Sequence, residues 1–599
     1  MSGDFVSRLP KIYGMYTGGF LAFVVALAIG EQMGMPNAWI GYVFMAATIG
    51  LYAMIGIMSR TAETDEYYVA GRRVPALYNG MATGADWMSA ASFIGMAGTL
   101  YAQGYDGLAF VMGWTGGYVL VALFLAPYLR KFGQYTIPDF LGTRYGGNLP
   151  RTIGIICAIT ASFTYVIAQI YGAGIITSRF LGIDLATGVW VGLVGVLVCS
   201  LLGGMRAVTW TQVAQYIILI IAYLVPVVWL SIKVTGNPVP QLAYGEVLQQ
   251  ITVLEQQLGV TAGHATPFVK NDIVNFMALT FCLMVGTAAL PHILMRFFTT
   301  PSVKEARKSV GWSLFFIFLL YFTAPAYAAF AKLEVYSNVI GQSIATLPAW
   351  VASWTQVGLV SICDAVDAMT VVKGCTANGN GDGILQLAEL TLNTDVIVLA
   401  TPEIAGLPYV ISGLVAAGGL AAALSTADGL LLTIANALSH DLYYKMIDPN
   451  ASTARRVTIS KVLLLVVALA AAYVAAQKPA DILFLVSAAF SFAAAAFFPA
   501  LVLGIFWKRA TGIAASLGMV AGLGITFYYM VTNQPWLRGV FGVTSPVDLW
   551  FGIQPISAGV FGVPLGFAVI ILVSLVTPAP NKKIQELVEH VRYPNLKMS

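Results

Sequence analysis

Long apolar stretches separated by short polar ones dominate the pattern of this chain. Runs long enough to cross a bilayer, about 20 residues each, fall near 14–30, 38–58, 77–101, 108–129, 152–180, 187–203, 211–233, 272–296, 309–331, 406–439, 457–476, 482–506, 512–532 and 556–577. Fourteen spans predict an all-α polytopic membrane protein with both termini on one side. Two insertions, 234–271 and 332–405, are the only sizeable hydrophilic interruptions. Arg8 and Lys11 precede an apolar run ending in Ala-Ile-Gly at 28–30, so residues 1–30 also admit reading as a cleaved leader. The short hairpin into the second span favours a membrane helix instead.

Composition narrows the class. The chain is 58% hydrophobic and 10% charged, against about 25% charged in soluble proteins. That excludes a soluble enzyme or a nucleic-acid-binding module. The net charge of +4 points to no acidic partner, but its distribution orients the chain. With the N-terminus inside, the inside segments carry 24 of the 31 Lys and Arg. The positive-inside rule then places both termini in the cytoplasm, in a bacterial-type inner (plasma) membrane. Cys157, Cys199 and Cys282 fall in spans and read as small hydrophobes. Cys363 and Cys375 share the longest outside loop and would bridge in an oxidising compartment.

Two spans break the apolar pattern with chemistry. GADWMSAASFIG (84–95) places Asp86, Ser89 and Ser92 at membrane depth, where polar groups are costly and usually functional. GGLAAALSTADGLLLTIANALSHDLY (418–443) does the same with Ser425, Thr426, Asp428 and Gly429. Paired interrupted helices mark the midplane site of a secondary transporter. A hard monovalent cation takes oxygen ligands. A broken helix frees carbonyls, and Ser or Thr adds hydroxyls without adding charge. GTAALPHILMRFF (286–298) contributes Gly286 and a Pro291 kink. His292 there reads as a hydrogen-bonded helix residue and Arg296 as the end of the span. No Arg or Lys stands inside a span as a counter-ion.

The stretches DEYYVAGRR (65–73), GADWMSAASFIGMAG (84–98), YAQGYDGL (101–108), GGMRAVTWTQ (203–212), GTAALPHILMRFFT (286–299), EARKSV (305–310) and LSHDLY (438–443) resemble the sodium:solute symporter family, and within it the cation/acetate symporter branch. The resemblance implies a LeuT-type inverted repeat of five plus five helices. Residues 1–76 would hold two leading helices and a cytoplasmic linker. The repeats would span 77–271 and 272–506, and 507–599 would hold two trailing helices and a tail. Matched position by position, it implies sodium ligands from the carbonyls of Ala85, Met88 and Ala422 and the hydroxyls of Ser425 and Thr426. Where some members carry a second-sodium Asp, this chain has Gln212, while Asp428 lies one turn from Ser425. Asp428, with Gln212 and Ser425, is therefore a candidate second cation or proton site. Asp86 is expected to act indirectly, by capping freed amides or tuning the ion.

For the solute, a half-helix N-terminus favours an anion. The break at Ser89 and Ser92, with Tyr165, Gln169 and Thr287, supplies the candidate contacts. A small residue at Ser92, where the family's sugar carriers contact sugar, suits a small solute. The expected function is sodium-coupled import of an acetate-like monocarboxylate by alternating access. The rivals are a sodium- or proton-coupled carrier of another small solute, such as an amino acid, and a transporter-like sensor needing a separate output partner. No nucleophile–base pair or nucleotide loop suggests an enzyme. Relatives in this branch are sometimes joined by a small two-helix membrane subunit, which the resemblance makes a candidate partner.

The outside loop adds NGNGDGILQLAE (378–389), which has EF-hand spacing. Asn378, Asn380, Asp382 and Glu389 would offer side-chain oxygens to Ca2+, and Ile384 its carbonyl. The Asn at the first position predicts weak, extracellular-type affinity.

Overall fold

The computed structural model describes residues 3–61, 63–201, 203–363 and 381–593. Two helices, α1 (Gly3–Gln32) and α2 (Asn37–Met58), lead the chain. The first repeat opens on a helix in two pieces, α3 (Ala76–Trp87) and α4 (Met96–Gln103), joined through a π-helical turn at Ala91–Gly95. It continues with α5 (Leu108–Leu120), α6 (Asn148–Leu181), α7 (Leu185–Ser200) and α8 (Met205–Thr235). The second repeat again opens on a broken helix, α9 (Ile273–Thr287) followed by Pro291–Met295. After it come α10 (Val303–Tyr321), α11 (Ala324–Asn338), α12 (Tyr409–Asn436), α13 (Thr453–Ala475) and α14 (Ile482–Phe506). Two trailing helices, α15 (Gly512–Asn533) and α16 (Gly559–Val576), pack on α14. This is the LeuT-type inverted-repeat bundle.

Polar caps close the helices where apolar sequence stops. Asp184, Asp272, Ser452 and Thr511 each accept a backbone N–H at the start of the helix that follows. Gly182 and Gly236 end α6 and α8 in the left-handed conformation. Helix α12 lies at the centre, with nearly every residue buried, packed against α8, α6, α2 and α7.

Among the described residues, twelve helical stretches are long and apolar enough to cross a membrane. The count differs from fourteen for two reasons. Helix α7 has only 16 residues, and the lengths predicted as 77–101 and 108–129 run together over 91–132. The C-terminal helix Lys582–Arg592 buries Val588 and Val591, and Arg592 donates to the Phe506 carbonyl at 2.9 Å.

The insertion between α11 and α12 forms a lid. Its strands β1 (Val360–Ile362) and β2 (Leu390–Leu392) pair antiparallel, Ser361 opposite Thr391. A short helix, Ile397–Ile404, then leads back toward α12. Gly98 of α4 is required where the lid lands, because a Cβ there would sit 1.7 Å from the Thr394 carbonyl oxygen.

Candidate functional site

The break after α3 is made by diverting two amides. In an unbroken helix Ser89 N–H would bond the Ala85 carbonyl and Ala90 N–H the Asp86 carbonyl. Here Met88 turns away (φ −77°, ψ 69°). Ser89 N–H folds back onto the Trp87 carbonyl at 2.8 Å, and Ala90 N–H donates to Gln169 Oε1 of α6 at 2.9 Å. The two freed carbonyls are met from α12. Ser425 Oγ donates to Ala85 O at 2.7 Å and lies 3.0 Å from Ala422 O, and Thr426 Oγ1 donates to Asp86 O at 2.8 Å. Ala85, Ala422, Ser425 and Thr426 thus come together, fully buried. Met88 forms the bend itself. Ala85 O, Ala422 O and Ser425 Oγ meet, and Asp86 O pairs with Thr426 Oγ1 on the next residue; neutral oxygens with spare lone pairs suit an alkali cation.

A charged network sits directly below. Arg296 follows the second break, in the last turn of the candidate span Ile273–Thr299, and is fully buried. Its Nε donates to Asp86 Oδ2 at 2.9 Å and one terminal nitrogen to Thr209 Oγ1 at 3.0 Å; the other bonds Gln212 Oε1. An embedded cation therefore exists. Asp86 is its ion-pair partner and caps no freed amide. Gln212 Nε2 donates to the Ser425 carbonyl at 2.7 Å, so Gln212 joins Arg296 to α12. Asp428 accepts from the Ser200 hydroxyl and makes no bond to Gln212. One oxygen of each carboxylate, Asp86 Oδ1 and Asp428 Oδ2, is buried without a partner. Gly429 lets α12 approach this closely, since a Cβ there would lie 2.2 Å from Asp86 Oδ1.

The solute candidates divide. Ser89, Ser92, Tyr165 and Gln169 surround the break. Ser89 Oγ accepts Ala91 N–H at 3.2 Å, and Ser92 Oγ shares a 2.8 Å hydrogen bond with Tyr321. Thr287 stands at the second break, but its hydroxyl donates back to Leu283 O at 2.7 Å and packs against Gly117. Sequence reasoning missed an aromatic box beside the first break. Trp87 meets Tyr118 at 5.0 Å and Phe490 at 5.4 Å, and Trp114 meets Tyr321 at 5.9 Å. Trp87 Nε1, Trp114 Nε1 and Gln169 Nε2 are buried donors without acceptors, and neither ring nitrogen of His292 is bonded. His292 stacks edge-on against Tyr165 at 5.4 Å, which corrects its reading as a hydrogen-bonded helix residue. A Trp in an apolar span gives no signal of its own; only the fold shows where its N–H goes.

In the lid, Asn378, Asn380 and Cys375 lie outside the described residues. Cys363 is disulfide-bonded, while Cys157, Cys199 and Cys282 are free. Asp382 Oδ1 accepts Ile384 N–H at 2.8 Å, and Glu389 Oε2 accepts Gln386 N–H at 2.9 Å, so both carboxylates already brace their own turn.

Two broken helices that begin inverted repeats, the first with its freed carbonyls met by hydroxyls of a third helix at the centre, define a secondary transporter. The sequence profile of the sodium:solute symporter family matches residues 67–361 and 386–522, and the chain belongs to that family. An uncharacterized symporter of Cupriavidus necator is 48% identical over 98% of this chain and 99% of its own. A substrate-bound, outward-open Na+-coupled sialic acid symporter superposes with a TM-score of 0.65 at 18% identity, covering 90% of this chain and 99% of that one. That likeness supports the fold. The protein is a multi-pass membrane transporter performing sodium-coupled solute symport, and not an enzyme.

Proposed function

We propose that the solute is a small monocarboxylate, acetate-like in size, imported with sodium by alternating access. The observation that carries the reading is the diversion of Ser89 and Ala90 N–H, which leaves Ala85, Ala422, Ser425 and Thr426 oxygens facing one another. Sodium held by these groups and the Met88 carbonyl would tie α3 to α12. That tie fixes the geometry of the N-terminal end of the π-turn and α4 beyond it, where an anion is favoured. Support for a carboxylate comes from the donors without acceptors around the break: Trp87, Trp114 and Gln169. Support for a small one comes from the aromatic side chains that crowd it.

In the same reading Asp428 carries a second cation. Of two buried carboxylates, Asp86 pairs with the Arg296 guanidinium, whereas Asp428 accepts only the Ser200 hydroxyl. A buried carboxylate without a counter-charge binds a proton or an ion. The termini lie in the cytoplasm and the lid outside, so the solute enters from the lid face. Ca2+ would serve the lid only as a folding ligand through residues 378–389.

The test is uptake of radiolabelled acetate, pyruvate, lactate and proline into proteoliposomes, driven separately by sodium and by proton gradients. The expected result is sodium-driven acetate or short-carboxylate uptake that proline does not compete with. Proline uptake with no carboxylate uptake would overturn the solute assignment. In the same vesicles, Asp428→Asn should lower the Hill slope for sodium or abolish a proton dependence; an unchanged slope and rate would remove the second site.

A further inference from the structure

A second cationic site lies at the seam between the broken helix and the lid. Lys332 of α11 is buried, its side chain only 3% exposed. Its ammonium faces the rings of Tyr101 at 5.2 Å and Tyr336 at 5.6 Å. The nearest carboxylate, Glu255, stands 4.0 Å away, beyond hydrogen-bond reach, and both its oxygens accept His264 N–H at 2.9 Å. Among the described residues no acceptor bonds Lys332. An ammonium carries three N–H donors, and leaving them unspent in a desolvated position is costly. They open into a cavity of about 360 Å³. Lys270 lies at its mouth, exposed, with Nζ donating to Ala102 O at 2.6 Å and two donors in reserve.

Leu390 and Leu392 of β2 and Ile397 of the lid helix supply apolar wall, with Thr391 and Thr394 between them. Among the described residues, two cations line this cleft and no acidic side chain does. That combination selects a ligand with one anionic head and a short hydrocarbon body. Inorganic anions would satisfy the lysines but gain nothing from the walls. The cavity touches both α4, through Gly98 and Tyr101, and the lid, through Thr394 and Ile397.

We propose that this cavity is an outer binding station for a small organic carboxylate, with Lys332 as the charge at its floor and Lys270 at its mouth. The proposal rests on the monocarboxylate reading for its role in transport, but the binding itself can be tested apart from transport. The full chain in detergent, in sodium-free choline buffer at constant ionic strength, is titrated with choline acetate, choline chloride or choline gluconate while thermal unfolding is followed. Acetate should raise the midpoint in the wild type, and more than chloride does. Lys332→Gln should shift the half-effective acetate concentration by at least about tenfold, Lys332→Arg should retain most of the response, and Lys270→Gln should weaken it by a few-fold. Ser425→Ala, which disables the central oxygens, should leave the acetate response in place.

A response in Lys332→Gln equal to wild type overturns the station. So does a chloride response equal to that of acetate, which would mark an inorganic-anion site, or loss of the response in Ser425→Ala. Should Lys332→Gln not fold, the Lys270→Gln and Lys332→Arg titrations decide the same question: equal responses in Lys270→Gln and wild type overturn it. If acetate proves not to be transported while the Lys332-dependent response persists, the solute reading falls and the station stands. If acetate is transported and the response ignores Lys332, the reverse holds.

Discussion

Gly429 is the position where a single methyl group tests the packing of the centre. A Cβ at 429 would lie 2.2 Å from Asp86 Oδ1 and 2.8 Å from its Cγ and Oδ2. Real Cβ contacts are essentially never under 3.0 Å, so Asp86 or α12 must retreat by at least 0.8 Å. A shift of that size is enough to carry the 2.9 Å Asp86–Arg296 bond past the useful hydrogen-bond range. Overpacking a buried position costs about 1–3 kcal/mol, and a hydrogen bond to a charged group contributes about 1.5–3 kcal/mol. Gly429→Ala should therefore lose about 2.5–6 kcal/mol at the centre. Because Thr426, one turn away, holds the Asp86 carbonyl, sodium-driven uptake should fall by more than about tenfold. The control is Gly524→Ala on α15, where a Cβ meets nothing within 4 Å. There the same change should be neutral or stabilising by up to about 1 kcal/mol through helix propensity. The assays are uptake per correctly inserted transporter and thermal unfolding in detergent. Wild-type uptake and sodium dependence in Gly429→Ala would refute the proposed closeness of α12 to Asp86.

Two further predictions address charge. Replacing Arg296 by Gln leaves Asp86 buried without its counter-ion, which costs about 3–5 kcal/mol; the double variant Asp86→Asn/Arg296→Gln should recover most of the lost thermal stability, and no recovery would argue against a paired role. At the lid, burial and then the neighbouring Asp481 push the Asp395 carboxyl up to about 8. The raised value means the closed lid holds a proton there that the open, solvated one releases, so closure weakens as pH rises from about 4 toward about 8. Hydrogen-exchange protection across residues 390–404, corrected for intrinsic amide exchange, should fall as pH rises from about 5 to about 8 in the wild type and stay level in Asp395→Asn. Protection in the wild type that does not change with pH over that range would contradict it.

Much of the architecture was legible because bilayer length fixes helix length. The positions of Ser425 and Thr426 could be singled out because hydroxyls inside an apolar helix are rare. Arg296 was misjudged for a physical reason. Six residues past a helix break it does end a span, yet the short helix after Pro291 turns it inward beneath Asp86. The burial of Lys332 was invisible for a related reason. A Lys near the end of an apolar stretch normally extends to water, and only the fold brings Tyr101, Tyr336 and Glu255 around it. Trp87 and Trp114 carried no polar signature, so the aromatic box needed coordinates.

The most direct measurement is equilibrium binding of radioactive sodium to the purified transporter, comparing wild type with Ser425→Ala and Thr426→Ala. The account predicts that each alanine weakens sodium binding by about tenfold or more while the proteins remain folded. Sodium affinity unchanged in both variants would contradict it.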